Sequence, residues 1–244
     1  MGGKLFVTGI GPGSEGYLTP DAVQSLEDAD IIVGYSVYIK LLPDRFSSKE
    51  IYATGMGGET ERCRYALDKA AEGKSVTVIC SGDPGVYGMA SLIYDLSSGI
   101  DDLVDITVVP GITAALSGAA RLGAPIGNDF AVISLSTALT EWDDIARRLD
   151  LASEGDFAIV LYNPMSRTRQ DTLKMACDII SKHTGNDRAS GYVRNIGRTG
   201  EEHAVLTVGE LRDAELDMFT TVFIGNSTTK ITGGKMITGR KYRI

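Results

Sequence analysis

The sequence has few of the residues that build metal centres and disulfide frameworks. It contains 3 cysteines and 2 histidines in 244 residues. Cys63, Cys80 and Cys177 are odd in number and far apart, so their spacing fits neither a disulfide framework nor a zinc motif. Since only His183 and His203 could join them, we predict that protein side chains build no metal site.

The sequence also lacks long apolar runs and an excess of positive charge. No run approaches the roughly 18 apolar residues that would span a bilayer, and MGGKLFVTGIGPG lacks the pattern of a signal peptide. The 24 Lys and Arg residues are outnumbered by 32 Asp and Glu residues, which disfavours general binding to nucleic acid or membrane surfaces. We therefore expect a cytoplasmic protein that binds neither nucleic acid nor membranes.

Short apolar runs alternate with helical patterns through the N-terminal half. The runs at 4–10, 30–34 and 75–80 predict strands. Thr19 and Pro20 suit the N-cap and the first position of the helix that follows the first strand. This alternation predicts an α/β domain with a mainly parallel sheet covered by helices.

A cluster of Gly, Pro and Asn residues interrupts the pattern at 123–129. Such clusters mark loops between periodic segments. We interpret this one as the boundary between two α/β domains, at residues 1–122 and 123–244.

The second half also contains strands and helices. Its apolar runs at 190–195 and 202–208 are separated by a short turn, which indicates a hairpin. A last apolar strand at 220–226 precedes a polar tail. Because the strands of a hairpin are antiparallel, we expect the sheet of this domain to be mixed.

The segment GPGSEG at 11–16 matches the G-x-G-x-x-G motif of dinucleotide-binding folds. In those folds the helix begins inside the glycine run, whereas here the helix signals come later, at Thr19. The second strand ends in Gly34 and Tyr35, where those folds carry a ribose-binding acidic residue. A G-x-x-x-x-G-K-[ST] phosphate loop is also missing. A nucleotide-binding module without enzymatic activity is one alternative for this chain.

Four predicted strands end in turns rich in Gly or Pro: GIGPG, SGDPGVYG, VVPGIT and LYNPMS. In an open α/β sheet, the loops beyond the carboxyl ends of parallel strands line the ligand crevice, and glycine lets their backbone approach a small ligand. Asp83 would repel a phosphate but would tolerate an ammonium, a sulfonium or a ribose hydroxyl. S-adenosylmethionine carries all three groups.

These turns, together with DADIIVG at the second strand, resemble in order and spacing the tetrapyrrole (corrin/porphyrin) methyltransferase family. The resemblance covers nearly the whole chain. It implies two α/β domains with S-adenosylmethionine in the cleft between them and S-adenosylhomocysteine as product. It also implies a tetrapyrrole substrate and a homodimer.

Four further segments resemble the branch of this family that methylates C-17 of precorrin-3B or of cobalt-factor III and contracts the macrocycle on the route to cobalamin. They are VGYSVYI (33–39), GMGGETERCRYAL (55–67), LYNPMSRTR (161–169) and VRNIGRTGE (193–201). The uroporphyrinogen-III branch carries an Asp-Arg pair where this chain has Gly34 and Tyr35. The alternatives within the superfamily are another tetrapyrrole methylase, or a methylase of protein or ribosomal RNA such as the diphthine and rRNA branches.

The resemblance implies which residues contact the methyl donor. They are Pro12, Gly82, Asp83, Pro84, Val86, Tyr87, Thr113, Ala114, Tyr162, Asn163, Thr220 and Thr221. Backbone groups of these turns can hold the adenine and amino acid ends of the donor, while Asp83 favours its positive or hydroxyl groups.

The acceptor is a polycarboxylate, so an acidic chain must supply local cations for it. The candidate substrate-binding residues are Tyr35, Glu59, Arg62, Arg167, Arg169, Arg194 and Arg198. Residues two apart do not share a helix face, so we favour Arg62 over Arg64 because it is nearer the GMGG loop. Either Arg167 or Arg169 could face the substrate.

Ring contraction needs a base that removes a proton from an oxygen of the macrocycle. The sequence offers Glu59, Tyr35 and His203 as candidates and does not distinguish among them. The catalytic residue is therefore not assigned from the sequence.

Overall fold

The computed structural model describes residues 3–99, 103–166 and 169–240. The chain divides into two compact units, Met1–Thr113 and Ala114–Ile244. Among the described residues, each unit contains a five-stranded sheet with helices packed against it.

The first unit alternates strands and helices along most of its length. Its strands are β1 (Gly3–Gly9), β2 (Ile31–Tyr35), β3 (Glu50–Thr54), β4 (Ser75–Cys80) and β5 (Val104–Val109). Its α-helices are α1 (Pro20–Glu27), α2 (Ser36–Ile39), α3 (Glu59–Ala71) and α4 (Ala90–Ser97), and short 3-10 helices span Glu15–Tyr17 and Asp44–Phe46. The strands pair in parallel in the order β3-β2-β4-β1-β5, so their carboxyl ends share one edge.

Side chains of the first sheet alternate between two apolar cores. Ile31 and Val33 of β2 pack in one core together with Ile93 of α4, whereas Ile32 packs in the other with Leu26 of α1. Successive strand residues point to opposite faces, and a parallel sheet covered on both faces needs apolar residues on each. The continuous apolar runs of the sequence are explained by this two-sided burial.

The two helices α1 and α4 differ in how well the sequence predicts their start. The Thr19 side chain accepts a hydrogen bond from the backbone N–H of Ala22 at 3.1 Å, and Pro20 is the first helical residue, as predicted. The segment at 86–99 also predicts a helix from the sequence, but α4 begins only at Ala90. The preceding residues form a turn, in which Tyr87 has a φ of 53°.

The second unit, like the first, contains a five-stranded sheet and several helices. Its larger sheet contains β7 (Phe130–Ser134), β8 (Ala158–Tyr162), β9 (Ala189–Arg194), β10 (Glu202–Thr207) and β11 (Thr220–Ile224). Its helices are α5 (Ala114–Leu122), α6 (Trp142–Glu154), α7 (Thr172–Thr184) and α8 (Val208–Leu211). The strand order is β10-β9-β11-β8-β7, with β7 and β8 parallel and β11 antiparallel to both its neighbours. The predicted hairpin is β9 and β10, and the sheet is mixed as expected.

A small sheet forms from segments that the sequence analysis treated as a boundary and a tail. Strand β6 (Gly123–Ala124) pairs with β13 (Lys235–Thr238), which forms a hairpin with β12 (Thr229–Thr232). Gly233 and Gly234 connect this hairpin with φ angles of 58° and 72°, the two positive values of a type I′ turn. The Gly-Gly pair was the signal for a hairpin in the supposed polar tail.

Helix α5 belongs to the second unit, although the sequence analysis placed the domain boundary after it, at Leu122. Ala115, Ala119 and Leu122 of this helix pack with Phe223 of β11 in one apolar core. The structure therefore divides the chain before α5, after Thr113.

In the part of the chain that the structure describes, none of the helices combines the length and apolar character needed to cross a membrane.

Candidate functional site

Three loops leave the carboxyl ends of neighbouring strands of the first sheet: 10–14 after β1, 81–89 after β4 and 110–113 after β5. The first two are joined by backbone hydrogen bonds. The N–H of Gly82 donates to the carbonyl oxygen of Gly11 at 2.7 Å, and the N–H of Gly11 donates back at 3.2 Å. Two of the turns singled out in the sequence are thus one connected backbone structure.

Glycine is required where the three loops meet. A Cβ added to Gly111 would lie 2.1 Å from the carbonyl oxygen of Gly82, and one added to Gly9 would lie 2.5 Å from the same atom. Both distances are far inside van der Waals contact, so no side chain fits there. We call this meeting of Gly9, Gly11, Gly82 and Gly111 the glycine junction.

Asp83 ties the glycine junction together from one side. Its Oδ1 accepts a hydrogen bond from the N–H of Gly85 at 2.8 Å, and its Oδ2 accepts one from the N–H of Gly111 at 3.0 Å. Hydrogen bonds to an ionised carboxylate are stronger than those between neutral groups. Asp83, which is predicted to contact the methyl donor, therefore also links the loop at 81–89 to the loop at 110–113.

The other donor-contact residues predicted in the first unit lie on the same three loops. Pro12 follows β1, Pro84 and Val86 follow β4, and Thr113 follows β5. Tyr87 has a positive φ, uncommon for a bulky residue, and the residue is 57% exposed. The sheet topology has brought these residues to one edge from three separate stretches of sequence.

The neighbouring half of this edge is organised around Arg62, which is only 2% exposed. Its guanidinium donates to Thr54 Oγ1 at 2.9 Å and to the carbonyl oxygen of Gly55 at 3.0 Å. Tyr35 and Met89 also contact the guanidinium. We call Arg62, Thr54, Gly55, Tyr35 and Met89 the Arg62 cluster. Arg62, predicted as a substrate-binding cation, is therefore a buried side chain in this structure.

Glu59 and Arg64 flank Arg62 on helix α3. Glu59 is the first helical residue, and its half-exposed carboxylate lies 3.4 Å from Nη1 of Arg62. Arg64 is exposed. The two arginines therefore occupy different faces of the helix, as their spacing predicts.

In the second unit, the carboxyl ends of β7, β8 and β9 share an edge with the start of β11. Tyr162 ends β8, and its hydroxyl oxygen accepts a hydrogen bond from the backbone N–H of Ala115 at 2.8 Å. Ala114 and Ala115 are the first residues of α5, where backbone N–H groups have no partner inside the helix. Tyr162, predicted to contact the donor, thus also caps α5.

Asn163 and Arg169 connect the loops at this edge. Asn163 has a φ of 53°, and its Nδ2 donates to Ser134 Oγ at 3.0 Å. Arg169 donates from Nη1 to the carbonyl oxygen of Leu135 at 3.0 Å. Within the described residues, no carboxylate pairs with Arg169. Arg167 lies outside the described residues.

Arg194 has its charge balanced by acidic side chains. Its Nη1 donates to Glu202 Oε1 at 2.5 Å, and its Nε lies 3.4 Å from Asp217 Oδ2. Asp217 also accepts a hydrogen bond from Thr220 Oγ1 at 2.8 Å. Thr220 and its neighbour Thr221 are both buried. Arg194 is therefore engaged in a local network and offers less charge to a ligand than Arg169.

Arg198 and His203 lie near the turn between β9 and β10. The guanidinium carbon of Arg198 is 5.6 Å from the ring centroid of Phe219. His203 is an exposed residue of β10 and pairs with Val193 in the hairpin. Neither contact identifies a catalytic role.

Some residues at these edges were not singled out in the sequence. Gly9, Gly11 and Gly111 belong to the turns GIGPG and VVPGIT but are not among the predicted site residues. A glycine that ends or follows a strand indicates close approach of the backbone, and this signal could have identified them. Thr54 and Leu135 carry no such signal, because their roles depend on the arginine side chains that reach them only in the folded chain.

Titratable groups outside the loops do not suggest a metal centre. Among the described side chains, no three of His, Cys, Asp or Glu lie close enough together to hold a metal ion. Burial raises the pKa of the thiol of Cys80, which ends β4, to about 11. This group is therefore a neutral core residue beside the loop.

Comparison with known proteins accounts for the loop motifs. Residues 4–212 match the family described as tetrapyrrole (corrin/porphyrin) methylases. A probable cobalt-factor III C(17)-methyltransferase of Salmonella typhimurium is 41% identical over 98% of this chain and 100% of its own. A precorrin-3B C(17)-methyltransferase of Sinorhizobium sp is 38% identical over 95% of this chain and 92% of its own.

The fold is also shared with a solved structure. The crystal structure of the methyltransferase CobJ aligns with 97% of this chain and 100% of its own, at a TM-score of 0.89 and 35% identity. The predicted two-domain α/β fold and the predicted family are confirmed. The chain belongs to the tetrapyrrole (corrin/porphyrin) methylases and is a methyltransferase.

Proposed function

We propose that this enzyme transfers a methyl group from S-adenosylmethionine to C-17 of precorrin-3B or cobalt-factor III, with contraction of the macrocycle, in cobalamin biosynthesis. The observation that carries the proposal is the similarity, over nearly the full length of both chains, to relatives named for C(17) methylation. The segments at 33–39 and 55–67, which resemble that branch in sequence, lie together in the Arg62 cluster and support the same assignment.

The glycine junction fits the methyl donor. Because no side chain can occupy Gly9 or Gly111, the loops there present their backbone N–H and carbonyl groups closely spaced. We propose that these loops and the second-unit residues Tyr162, Asn163, Thr220 and Thr221 hold the donor. The exposed ring of Tyr87 offers a flat apolar surface for packing against it.

S-adenosylmethionine would supply an electrophilic methyl group on a sulfonium centre. Transfer to carbon is an in-line displacement, so the protein must mainly align donor and acceptor and exclude water. Asp83 contributes by fixing the spacing of the loops after β4 and β5. Rigid loops of this kind hold a bound geometry at low entropic cost.

The macrocycle carries carboxylate side chains, which need cations on the protein. We propose Arg169 as the main one, because its guanidinium makes a single backbone hydrogen bond and no ion pair among the described residues. Arg198 and Arg167 are further candidates, while Arg194 is compensated by Glu202 and Asp217. Glu59, Tyr35 and His203 are the candidate bases for ring contraction.

We also propose that the enzyme is a cytoplasmic homodimer. The dimer follows from the family resemblance and is tested by light scattering on the purified protein, where a monomer mass would reject it. Three buried free thiols, Cys63, Cys80 and Cys177, support a reducing compartment.

A single assay tests the proposed reaction. The purified protein is incubated with methyl-labelled S-adenosylmethionine and either precorrin-3B or cobalt-factor III, and the product is identified by mass spectrometry. We expect one added methyl group on one of the two macrocycles. Absence of S-adenosylhomocysteine binding by calorimetry would reject the proposal, and methylation of intact ribosomes or of uroporphyrinogen III instead would assign another branch.

A further inference from the structure

We propose that Arg62 is a positioning residue for the methyl acceptor: it holds the loops after β2 and β3 in the shape that receives the macrocycle. This inference rests on the proposed function. At 2% exposure the side chain cannot itself reach a substrate. Its effect must pass through the groups that it contacts.

The guanidinium fixes the loop at 55–58. Nε donates to Thr54 Oγ1 at 2.9 Å, at the end of β3, and Nη2 donates to the carbonyl oxygen of Gly55 at 3.0 Å. These two bonds use the rigid planar fork of arginine, which a lysine ammonium cannot reproduce. The loop contains Gly55, Gly57 and Gly58, so it has little conformational preference of its own.

The same guanidinium contacts the exit of β2 and the far end of the loop after β4. Its carbon lies 5.9 Å from the ring centroid of Tyr35 at the end of β2, and Nη1 lies 4.0 Å from Met89 Sδ at the end of the loop after β4. Tyr35 also packs edge-to-face on Tyr38, with ring centroids 5.1 Å apart. Arg62 is thus the common partner of the exits of β3 and β2, which are neighbours in the sheet, and it also contacts the far end of the loop after β4.

The carboxyl edge of the first sheet therefore has two halves. The exits of β4, β1 and β5 meet at the glycine junction and carry the motifs that resemble the whole family. The exits of β3 and β2 meet at Arg62 and carry the segments that resemble only the C-17 branch. A shared donor requires shared loops, whereas acceptors differ between branches, so the Arg62 half is assigned to the acceptor.

Charge supports the same assignment. Among the described residues, Glu59 is the one carboxylate paired with Arg62, at 3.4 Å, and its side chain is 50% exposed. The other acceptors of the guanidinium are neutral, so the buried charge is only partly compensated. A buried cation that is only partly compensated favours an anion close to it, such as a carboxylate of the acceptor.

The test compares Arg62→Met and Arg62→Lys with Arg64→Met, which removes an exposed arginine from the same helix. Acceptor KM and kcat are measured with whichever of precorrin-3B and cobalt-factor III the wild-type enzyme methylates, and S-adenosylhomocysteine binding is measured by calorimetry. We expect both Arg62 variants to raise the acceptor KM about tenfold or more, since small misplacements of binding groups are costly. Donor affinity should stay within about twofold of wild type, and Arg64→Met should change neither.

A variant that unfolds would not separate positioning from stability, so Thr54→Val is the second test. It keeps the size of the side chain but removes the oxygen that accepts from Nε. We expect a folded protein with a raised acceptor KM and normal donor affinity. Two results would overturn the proposal. One is an acceptor KM that stays unchanged in folded Arg62 and Thr54 variants, and the other is a donor affinity that falls by the same factor as the acceptor KM rises. A wild-type protein that methylates neither macrocycle would reject the proposed function together with it.

Discussion

The carboxylate of Asp83 accepts a hydrogen bond from the backbone N–H of Gly111, 28 residues away, at 3.0 Å. Its other oxygen accepts from Gly85 at 2.8 Å. Asp83 therefore links the loop after β4 to the loop after β5. In the proposed function, its contribution to donor binding is to hold these loops in place.

Substitution of Asp83 by Asn tests this role. The amide keeps one acceptor oxygen but turns an NH2 group toward one of the two N–H donors, so one charge-assisted bond is lost. Such a bond contributes roughly 1.5 to 3 kcal/mol, so we expect donor affinity to fall at least about tenfold. Because the loops hold the whole ligand, S-adenosylmethionine and S-adenosylhomocysteine should lose affinity equally in calorimetry. A loss confined to S-adenosylmethionine would indicate a direct contact with the sulfonium instead.

Substitution of Gly111 by Ala tests the glycine junction. The new methyl group would lie 2.1 Å from the carbonyl oxygen of Gly82, and backbone cannot move aside as a flexible side chain can. Overpacking costs about 1 to 3 kcal/mol, so we expect a lower melting temperature and loss of donor binding. The control is Gly16→Ala, because a Cβ there meets nothing within 4 Å. Equal stability of the two variants would contradict the crowding argument.

Substitution of Arg169 by Gln tests the proposed cation for the acceptor. The change removes the charge and keeps a polar side chain near the carbonyl of Leu135. Loss of one charge-assisted contact should raise the acceptor KM about tenfold, with donor affinity unchanged. Arg148→Gln, an exposed position on α6, is the control. If both variants show the same KM, Arg169 does not bind the acceptor.

The three buried thiols give a pH prediction. Burial raises the pKa of Cys63 to about 12, of Cys80 to about 11 and of Cys177 to about 12. An unfolded thiol titrates near pH 8.5, so above that pH the unfolded chain releases protons that the folded chain keeps, and stability falls as pH rises. We expect no reaction of the native protein with a thiol reagent at pH 8, three reacting thiols after unfolding in urea, and a lower urea midpoint at pH 10 than at pH 7. Rapid labelling of the native protein would contradict the assigned burial.

Local pattern was sufficient for much of the fold. The continuous apolar run at 75–80 coincides with β4, and the Thr19-Pro20 pair begins α1. Strand β3 could not be predicted from the sequence, because this edge strand exposes Ile51 and Glu50 and so lacks a core-like pattern. The sequence also predicts a domain boundary after α5 and not before it, since nothing local shows that Ala115 and Ala119 pack on Phe223.

For the candidate site as well, the sequence predicts some features and not others. The turns carried enough information to predict the family, because Gly and Pro are demanded there by backbone geometry. They did not reveal which arginines are accessible. Arg62 and Arg64 differ by two positions, yet one is buried and the other exposed, and Arg194 is balanced by Glu202 and Asp217.

By itself, the sequence determined the two α/β units, the mixed second sheet and the chemical character of the loops, because these follow from periodicity and from residues with special backbone requirements. Only the tertiary structure decided that Asp83 bonds to Gly111 and that Arg62 lies beneath the loops after β2 and β3. Both arrangements join segments distant along the chain, and the partner of a polar side chain is fixed by packing rather than by its neighbours in sequence.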